Sequence, residues 1–357
     1  MTKNIVQVEH DVCDYTCMWR GIEDLYQTKT KEKVPGFLFF TLSGQGEFTY
    51  LTRNKDVLKR MVTWGEGRPK KIYKRVNESI GFTFKHMENT KFEYMLKVAK
   101  EQIDLGKPVI LGPLDMFYLA YYPKIYNRMH IPNHYIMMVG YDDEQRCTYV
   151  LDCGVKETIS LSYEQLAMAI EKKVPSIGGK NGLCTISFQE HLPSLLTITK
   201  EAFQRKCTQQ LNSEVSFCGI RGMRKLATEI DSWKEIFTKE DYKRILQSFV
   251  QFTGTVPTLP ERLYGAPKDS IEHNACRKNY ADVLYELDKR YAIHEWKEAG
   301  DLFLKSGVLI QEITNRMVEY LLDITQEVGP LAPIVNEIAD IEERANQMIL
   351  DGINAET

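Results

Sequence analysis

Strand-like patterning stops near His191-Leu-Pro193-Ser194, and this break constrains the fold more than any other feature of the chain. Before it, short apolar runs alternate with turn residues. After it, apolar residues recur at helical spacing over Gly219 to Phe237, Lys239 to Phe252, Asn274 to Lys289, Leu302 to Ile324 and Val335 to Ile349, and strand signals nearly vanish. The break predicts an α+β domain over 1–192 and an all-α domain over 193–357. A chain of 357 residues exceeds a typical single domain, and either part is long enough to bury a core. Pro257 to Pro267, with Gly265, reads as a loop between helices. Neither a repeat of fixed period nor a low-complexity tract is evident.

Within the first part, the stretch from His134 to Asp152 reads as a hairpin with a polar residue at each end. Tyr135 to Val139 is almost wholly apolar and short, as a strand buried on both faces would be. Asp142-Asp143-Glu144-Gln145 supplies a polar turn before Thr148 to Leu151. Antiparallel pairing would bring His134 and Asp152 to one end, where the carboxylate could hold the imidazole in one tautomer and free its other nitrogen as a general base. The plainer alternative is a strand-edge histidine bonded to backbone and an aspartate opening a turn before Gly154.

A nucleophile for that pair is sought upstream. Met18, Ile22, Leu25 and Tyr26 form a helical stripe, and Thr16 is a suitable N-cap, so Cys17 falls in the first turn of a helix. The helix dipole and unpaired N–H groups there favour a thiolate, and the Cys17 N–H is placed to bind an oxyanion. Cys13 is the rival, but it precedes the stripe and gains less from the dipole. A metal site from His10, Cys13 and Cys17 lacks a second pair at ligand spacing. His130 and His134 are four apart, yet Pro132 argues against one helix carrying both.

The remaining segments fill in the first domain. Ile5 to Val8 is a short strand candidate, and Ser43-Gly-Gln-Gly46 reads as a tight turn, without the lysine of a phosphate-binding loop. A helix is predicted over Lys91 to Leu105, followed by a strand from Val109. Between that strand and the hairpin, Asp115-Met-Phe-Tyr118-Leu-Ala-Tyr121-Tyr122 is dense in aromatics. It could line a substrate pocket, with Asp115 and Tyr118 in contact with substrate, or pack as ordinary core with Asp115 as a cap. Ser162-Tyr-Glu-Gln165 offers a capping box for a helix ending near Lys173, and Cys184 to Phe188 resembles another strand.

Hydrophobic content of 43% and charged content of 27% are those of a soluble globular protein. A net charge of -3 gives no reason to invoke nucleic acid or a membrane surface, and the basic run from Arg68 to Arg75 reads as a solvated face. The first residues lack the apolar core of a signal peptide, no run is long enough to span a bilayer, and eight dispersed cysteines read as reduced thiols. A cytoplasmic location is expected.

The order Cys17, His134, Asp152 is that of papain-like thiol enzymes, and more closely the chain resembles the family of butirosin biosynthesis protein H. Its motifs are matched by Cys17, Ile22 and Leu25; by Ser43-Gly44-Gln45-Gly46-Glu47-Phe48; by Gly106-Lys-Pro108-Val-Ile110 with Asp115; and by His134 to Asp143 with Asp152. In the second part, Cys276-Arg277-Lys-Asn-Tyr280-Ala-Asp-Val283-Leu284 stands for a family signature in altered form. His273-Asn274 replaces its glycine-rich lead-in.

The resemblance implies a papain-like domain, a helix packed on an antiparallel sheet, followed by a helical domain. It implies amide-forming acyl transfer from an acyl carrier protein thioester, through a cysteine acyl-enzyme, to a small-molecule amine in secondary-metabolite biosynthesis. Cys17 would be nucleophile, His134 base and Asp152 orienter, with no cofactor beyond the phosphopantetheine-bound acyl substrate and no metal. Where papain-like enzymes carry a side-chain oxyanion donor, Asp11 stands here, so Tyr15 or another N–H would have to help. A cysteine peptidase or amidase is the alternative. The acyl group, the amine and the oligomeric state are not specified by the sequence.

Overall fold

The computed structural model describes residues 3–13, 16–44, 46–52, 59–65, 69–174, 177–253 and 274–355. In chain order the first elements are β1 (Lys3–Ile5), α1 (Cys17–Thr30), α2 (Leu38–Leu42), β2 (Phe48–Leu51), β3 (Met61–Trp64), α3 (Pro69–Ile80), β4 (Phe82–Met87), α4 (Phe92–Asp104) and β5 (Val109–Leu114). They continue with β6 (His134–Asp142), β7 (Cys147–Asp152), β8 (Val155–Ser162), α5 (Tyr163–Ile170), β9 (Leu183–Phe188) and α6 (Leu195–Leu211). Helices α7 (Gly219–Glu229), α8 (Trp233–Ile236), α9 (Lys239–Thr253), α10 (Arg277–Tyr291), α11 (His294–Leu321) and α12 (Ala332–Asn354) follow. The loop expected over Pro257 to Pro267 lies outside the described residues.

The chain divides into two compact units, Met1–Phe40 with Gly67–Ile198, and Thr41–Glu66 with Thr199–Thr357. The division is thus discontinuous, where the sequence suggests a single cut after 192. Strands β2 and β3 pair with each other, and their inward residues Phe48, Tyr50, Val62 and Trp64 are buried with Met223, Leu246, Phe249 and Ile338 from the helices of the second unit. These side chains find their apolar partners there, so the helical unit is not all-α as expected: it contains one antiparallel strand pair. Beyond α6 the described chain is helical.

The first unit is built on a mixed-length antiparallel sheet of order β4-β9-β5-β6-β7-β8, with β1 pairing the far end of β6. Every pairing in it is antiparallel. All nine residues of β6 are buried, which explains its near-continuous apolar run. One face, with Ile136 and Met138, packs on Met95, Ala99 and Ile103 of α4 and on Leu166 and Ala169 of α5. Helix α1 approaches the sheet closely at Gly21, where a Cβ would sit 3.3 Å from Ile110 and Met137.

Register places the site. The β6–β7 turn is closed by Asp142, whose carboxylate accepts from the Glu144 and Gln145 amides at 3.0 Å. Met137 lies opposite Leu151, so the end of β7 faces the start of β6. On the other side, β5 slips register between Leu111 and Leu114, which puts Leu114 opposite His134. Gly112 makes the slip possible: its φ is +150° and a Cβ there would fall 2.4 Å from the Tyr135 ring.

Local signals hold in most places. The capping box at Ser162 and Gln165 is formed in full, and α4 buries Met95, Leu96, Ala99 and Ile103. The predicted helix over Gly219 to Phe237 is broken by a 3-10 turn at Ile230–Ser232. Helices α3 and α6 and strand β3 are not among the expected elements; the basic run from Arg68 to Arg75, read as a solvated face, overlaps α3, which buries Ile72, Tyr73, Val76 and Ile80 at helical spacing.

Candidate active site

Cys17 is the first residue of α1. Thr16 occupies the N-cap, but its hydroxyl donates to the Cys13 carbonyl at 2.8 Å and leaves the helix amides alone. Its own carbonyl accepts from Trp19 and Arg20, which starts the helix. The first amides of α1, that of Cys17 included, have no intrahelical acceptor and point toward the helix start.

His134 opens β6 and is buried. Its Nε2 lies 2.8 Å from Oδ2 of Asp152, at the end of β7, and the Cys17 thiol is near enough to the imidazole to act on its charge. Thiol, imidazole and carboxylate therefore form one relay. Burial alone would push the His134 pKa down, but Asp152 and the Cys17 sulfur outweigh it and raise the value to about 10. Burial likewise works to raise Asp152, yet His134 and two tyrosine hydroxyls hold its carboxyl below the usual range. The relay is thus biased toward an imidazolium flanked by an ionised carboxylate.

Two of its members were not singled out from sequence. Tyr122 donates to Oδ1 of Asp152 and Tyr121 to Oδ2, each at 2.8 Å. The Tyr122 ring meets the His134 imidazole edge-on, with centroids 5.7 Å apart. The signal was the aromatic density of the segment. It is compatible with a pocket or with ordinary core, and sequence alone has no means of showing which hydroxyls turn toward a strand end 30 residues away.

The other candidates lie apart from this relay. Asp115 uses its carboxylate within its own loop: it accepts from the Phe117 and Ile131 amides at 3.1 Å and pairs with His130 at 2.6 Å. That is the cap alternative in full. Tyr118 accepts a long contact of 3.4 Å from Lys172. Asp11, near the expected oxyanion-donor position, accepts from Gln27 at 3.2 Å, and that bond keeps it ionised. Tyr15 lies outside the described residues. Cys13 neighbours Glu23 and Thr16, and burial raises its thiol pKa. His10, His130 and His134 each face a different carboxylate, that of Asp24, Asp115 and Asp152 in turn.

Residues 16–153 match the family model described as butirosin biosynthesis protein H, N-terminal. Over these residues the chain is similar to that family. The butirosin biosynthesis protein H match contains Cys17, Tyr121, Tyr122, His134 and Asp152, so the whole relay lies inside it. Residues 164–256 match a domain of unknown function (DUF4872). The altered signature at Cys276 to Leu284 falls beyond both matches. There Arg277 and Tyr280 are core residues of α10, Arg277 bonded to Glu342 and Tyr280 stacked on Phe303 at 4.3 Å. No curated protein matches the chain. Among the described residues, no helix is long and apolar enough to cross a membrane.

Proposed function

We propose that the chain is a cysteine-dependent acyltransferase of papain-like type that forms an amide during the assembly of a small-molecule natural product. The observation that carries this reading is the buried His134–Asp152 pair, bonded at 2.8 Å, set beside Cys17 at the start of a helix. The family match supports the biosynthetic setting.

In the first half-reaction the Cys17 thiolate attacks the carbonyl carbon of an acyl thioester carried on phosphopantetheine. The carbonyl oxygen takes up the electron pair and is stabilised by amides at the start of α1. Collapse breaks the bond to the carrier sulfur, which leaves with the proton of the His134 imidazolium. In the second, an amine attacks the acyl-cysteine, His134 takes the amine proton, and the Cys17–acyl bond breaks to release the amide. Asp152 keeps the imidazole oriented through both steps. The acyl carrier protein and the amine are the partners this scheme requires.

The test offers the full-length protein short-chain acyl thioesters of a carrier protein with and without a panel of amines. Amide formation is expected, with an acyl-enzyme trapped on Cys17 and lost in Cys17→Ala but kept in Cys13→Ala. Free acid whichever amine is present would assign a hydrolase instead, and trapping on Cys13 would overturn the choice of nucleophile.

A further inference from the structure

We infer that Tyr121 and Tyr122 are positioning residues, a clamp that fixes the Asp152 carboxylate and through it the His134 imidazole; the reaction they serve rests on the thiol-enzyme reading above. A carboxylate offers about four acceptor positions on two oxygens. Here Tyr122 takes Oδ1, while Tyr121 and His134 share Oδ2, all at 2.8 Å. Rotation of the carboxylate would break bonds at both oxygens at once.

Two adjacent residues, their rings 4.9 Å apart, deliver both hydroxyls to one side chain. Buried tyrosines need acceptors wherever they lie, so hydroxyl pairing by itself means little. What marks this pair is the acceptor, a carboxylate already bonded to an imidazole, together with the edge of the Tyr122 ring set against that same imidazole. The segment that from sequence reads as either substrate wall or ordinary core thus supports the relay.

Among the described residues, the titratable groups about Asp152 come from a few elements, with the Cys17 thiol of α1 acting on both His134 and Tyr122. His134 faces it from β6, the tyrosines face it from the loop before β6, and Cys153 follows it in the chain. On the N-terminal side His10 reaches its main-chain oxygen at 3.1 Å. Hydrogen bonds donated to an ionised carboxylate favour that form, so the clamp opposes the effect of burial and keeps Asp152 charged. Removing it should move the protonation of Asp152 to higher pH.

Tyr121→Phe, Tyr122→Phe and the double variant of the full-length protein test this. Each single change is expected to lower kcat/KM for the acyl thioester roughly tenfold, the order of one hydrogen bond to a charged group. The KM should hold, the acid limb of the pH profile should move upward, and the double variant should lose more than either. Loss of activity with an unmoved acid limb and a lowered Tm would mean a packing role only and would overturn the clamp. An NMR titration of the His134 imidazole gives a readout without turnover: a displaced titration in the double variant supports the clamp, and an unchanged one overturns it. Absence of Cys17-dependent turnover in the unsubstituted protein would instead defeat the thiol-enzyme reading, with the titration still deciding the clamp.

Discussion

In the helical unit, buried Arg277 meets buried Glu342 through two parallel bonds of 2.7 and 2.8 Å, while its third nitrogen donates to the Ala275 carbonyl at 3.0 Å. Ser306 adds a bond of 2.5 Å to the same carboxylate. In the sheet unit, buried Arg20 is divided between two acids on α1: it donates to Asp24 at 2.9 Å and faces Glu23 at 3.1 Å. Asp24 also receives His10 at 2.5 Å, and among the described residues the NH2 of Arg20 has no acceptor. One cluster is matched donor for acceptor and the other is not. Burial accordingly pushes the Glu23 pKa to about 7, with Arg20 opposing and Asp24 adding to the rise. The matched pair leaves no charge without a partner, whereas the unmatched one leaves a buried carboxyl with a raised pKa on the helix that carries Cys17.

The largest expected effect comes from breaking the matched pair. Arg277→Met leaves Glu342 buried beside Ser306 without its cation, and removing one partner of such a pair costs about 3–5 kcal/mol. Urea unfolding should show that loss. The double change Arg277→Met with Glu342→Leu should recover much of it, since two apolar side chains of similar volume leave no charge uncompensated. Equal instability of single and double variants would show that the pair depends on more than charge matching. Gly46 sharpens the test, because a Cβ there would sit 2.9 Å from the Arg277 NH1.

Glu23 comes next. Its folded pKa, about 7, lies above the ordinary carboxyl value of 4.5, so the folded chain binds this proton more tightly than the unfolded chain. The resulting stability is fully present below pH 4.5 and is lost as pH rises through about 7. Glu23→Gln cannot titrate and should flatten that decline by on the order of 1–3 kcal/mol between pH 5 and 8. Thermal unfolding across that range checks it. A decline of the same slope in the variant would place the pH dependence elsewhere, with His10 the next group to examine, since Asp24 outweighs burial and raises its pKa.

Periodicity made most of this architecture legible. The β6–β7 hairpin, its Asx turn, α4 and the capping box of α5 follow from local patterns, and the convergence of His134 and Asp152 follows from antiparallel pairing. Cys17 at a helix start was legible for the same reason. What escaped depends on tertiary partners. Arg20, Glu23 and Asp24 lie off the expected apolar stripe yet are buried, because α1 is enclosed on more than that stripe. Strands β2 and β3 read as part of the first domain because sequence order says nothing about which core receives Phe48 and Trp64. The tyrosine hydroxyls on Asp152 were hidden likewise, since ring composition does not encode the direction of an O–H.

An exposed counterpart completes the comparison at its small end. Arg224 on α7 reaches Asp340 at 2.9 Å and Glu343 at 2.5 Å on α12, distances as short as those of Arg277 although both run through one nitrogen, but its side chain is 43% exposed. Water already solvates such a guanidinium in the unfolded chain and screens it in the folded one, so the same contacts return little. Arg224→Ala should therefore change stability by less than about 1 kcal/mol, and by less again in high salt. If urea unfolding instead gave a loss near that of Arg277→Met, burial would not be what separates the two pairs, and the contrast between matched and unmatched clusters would have to rest on bond geometry alone.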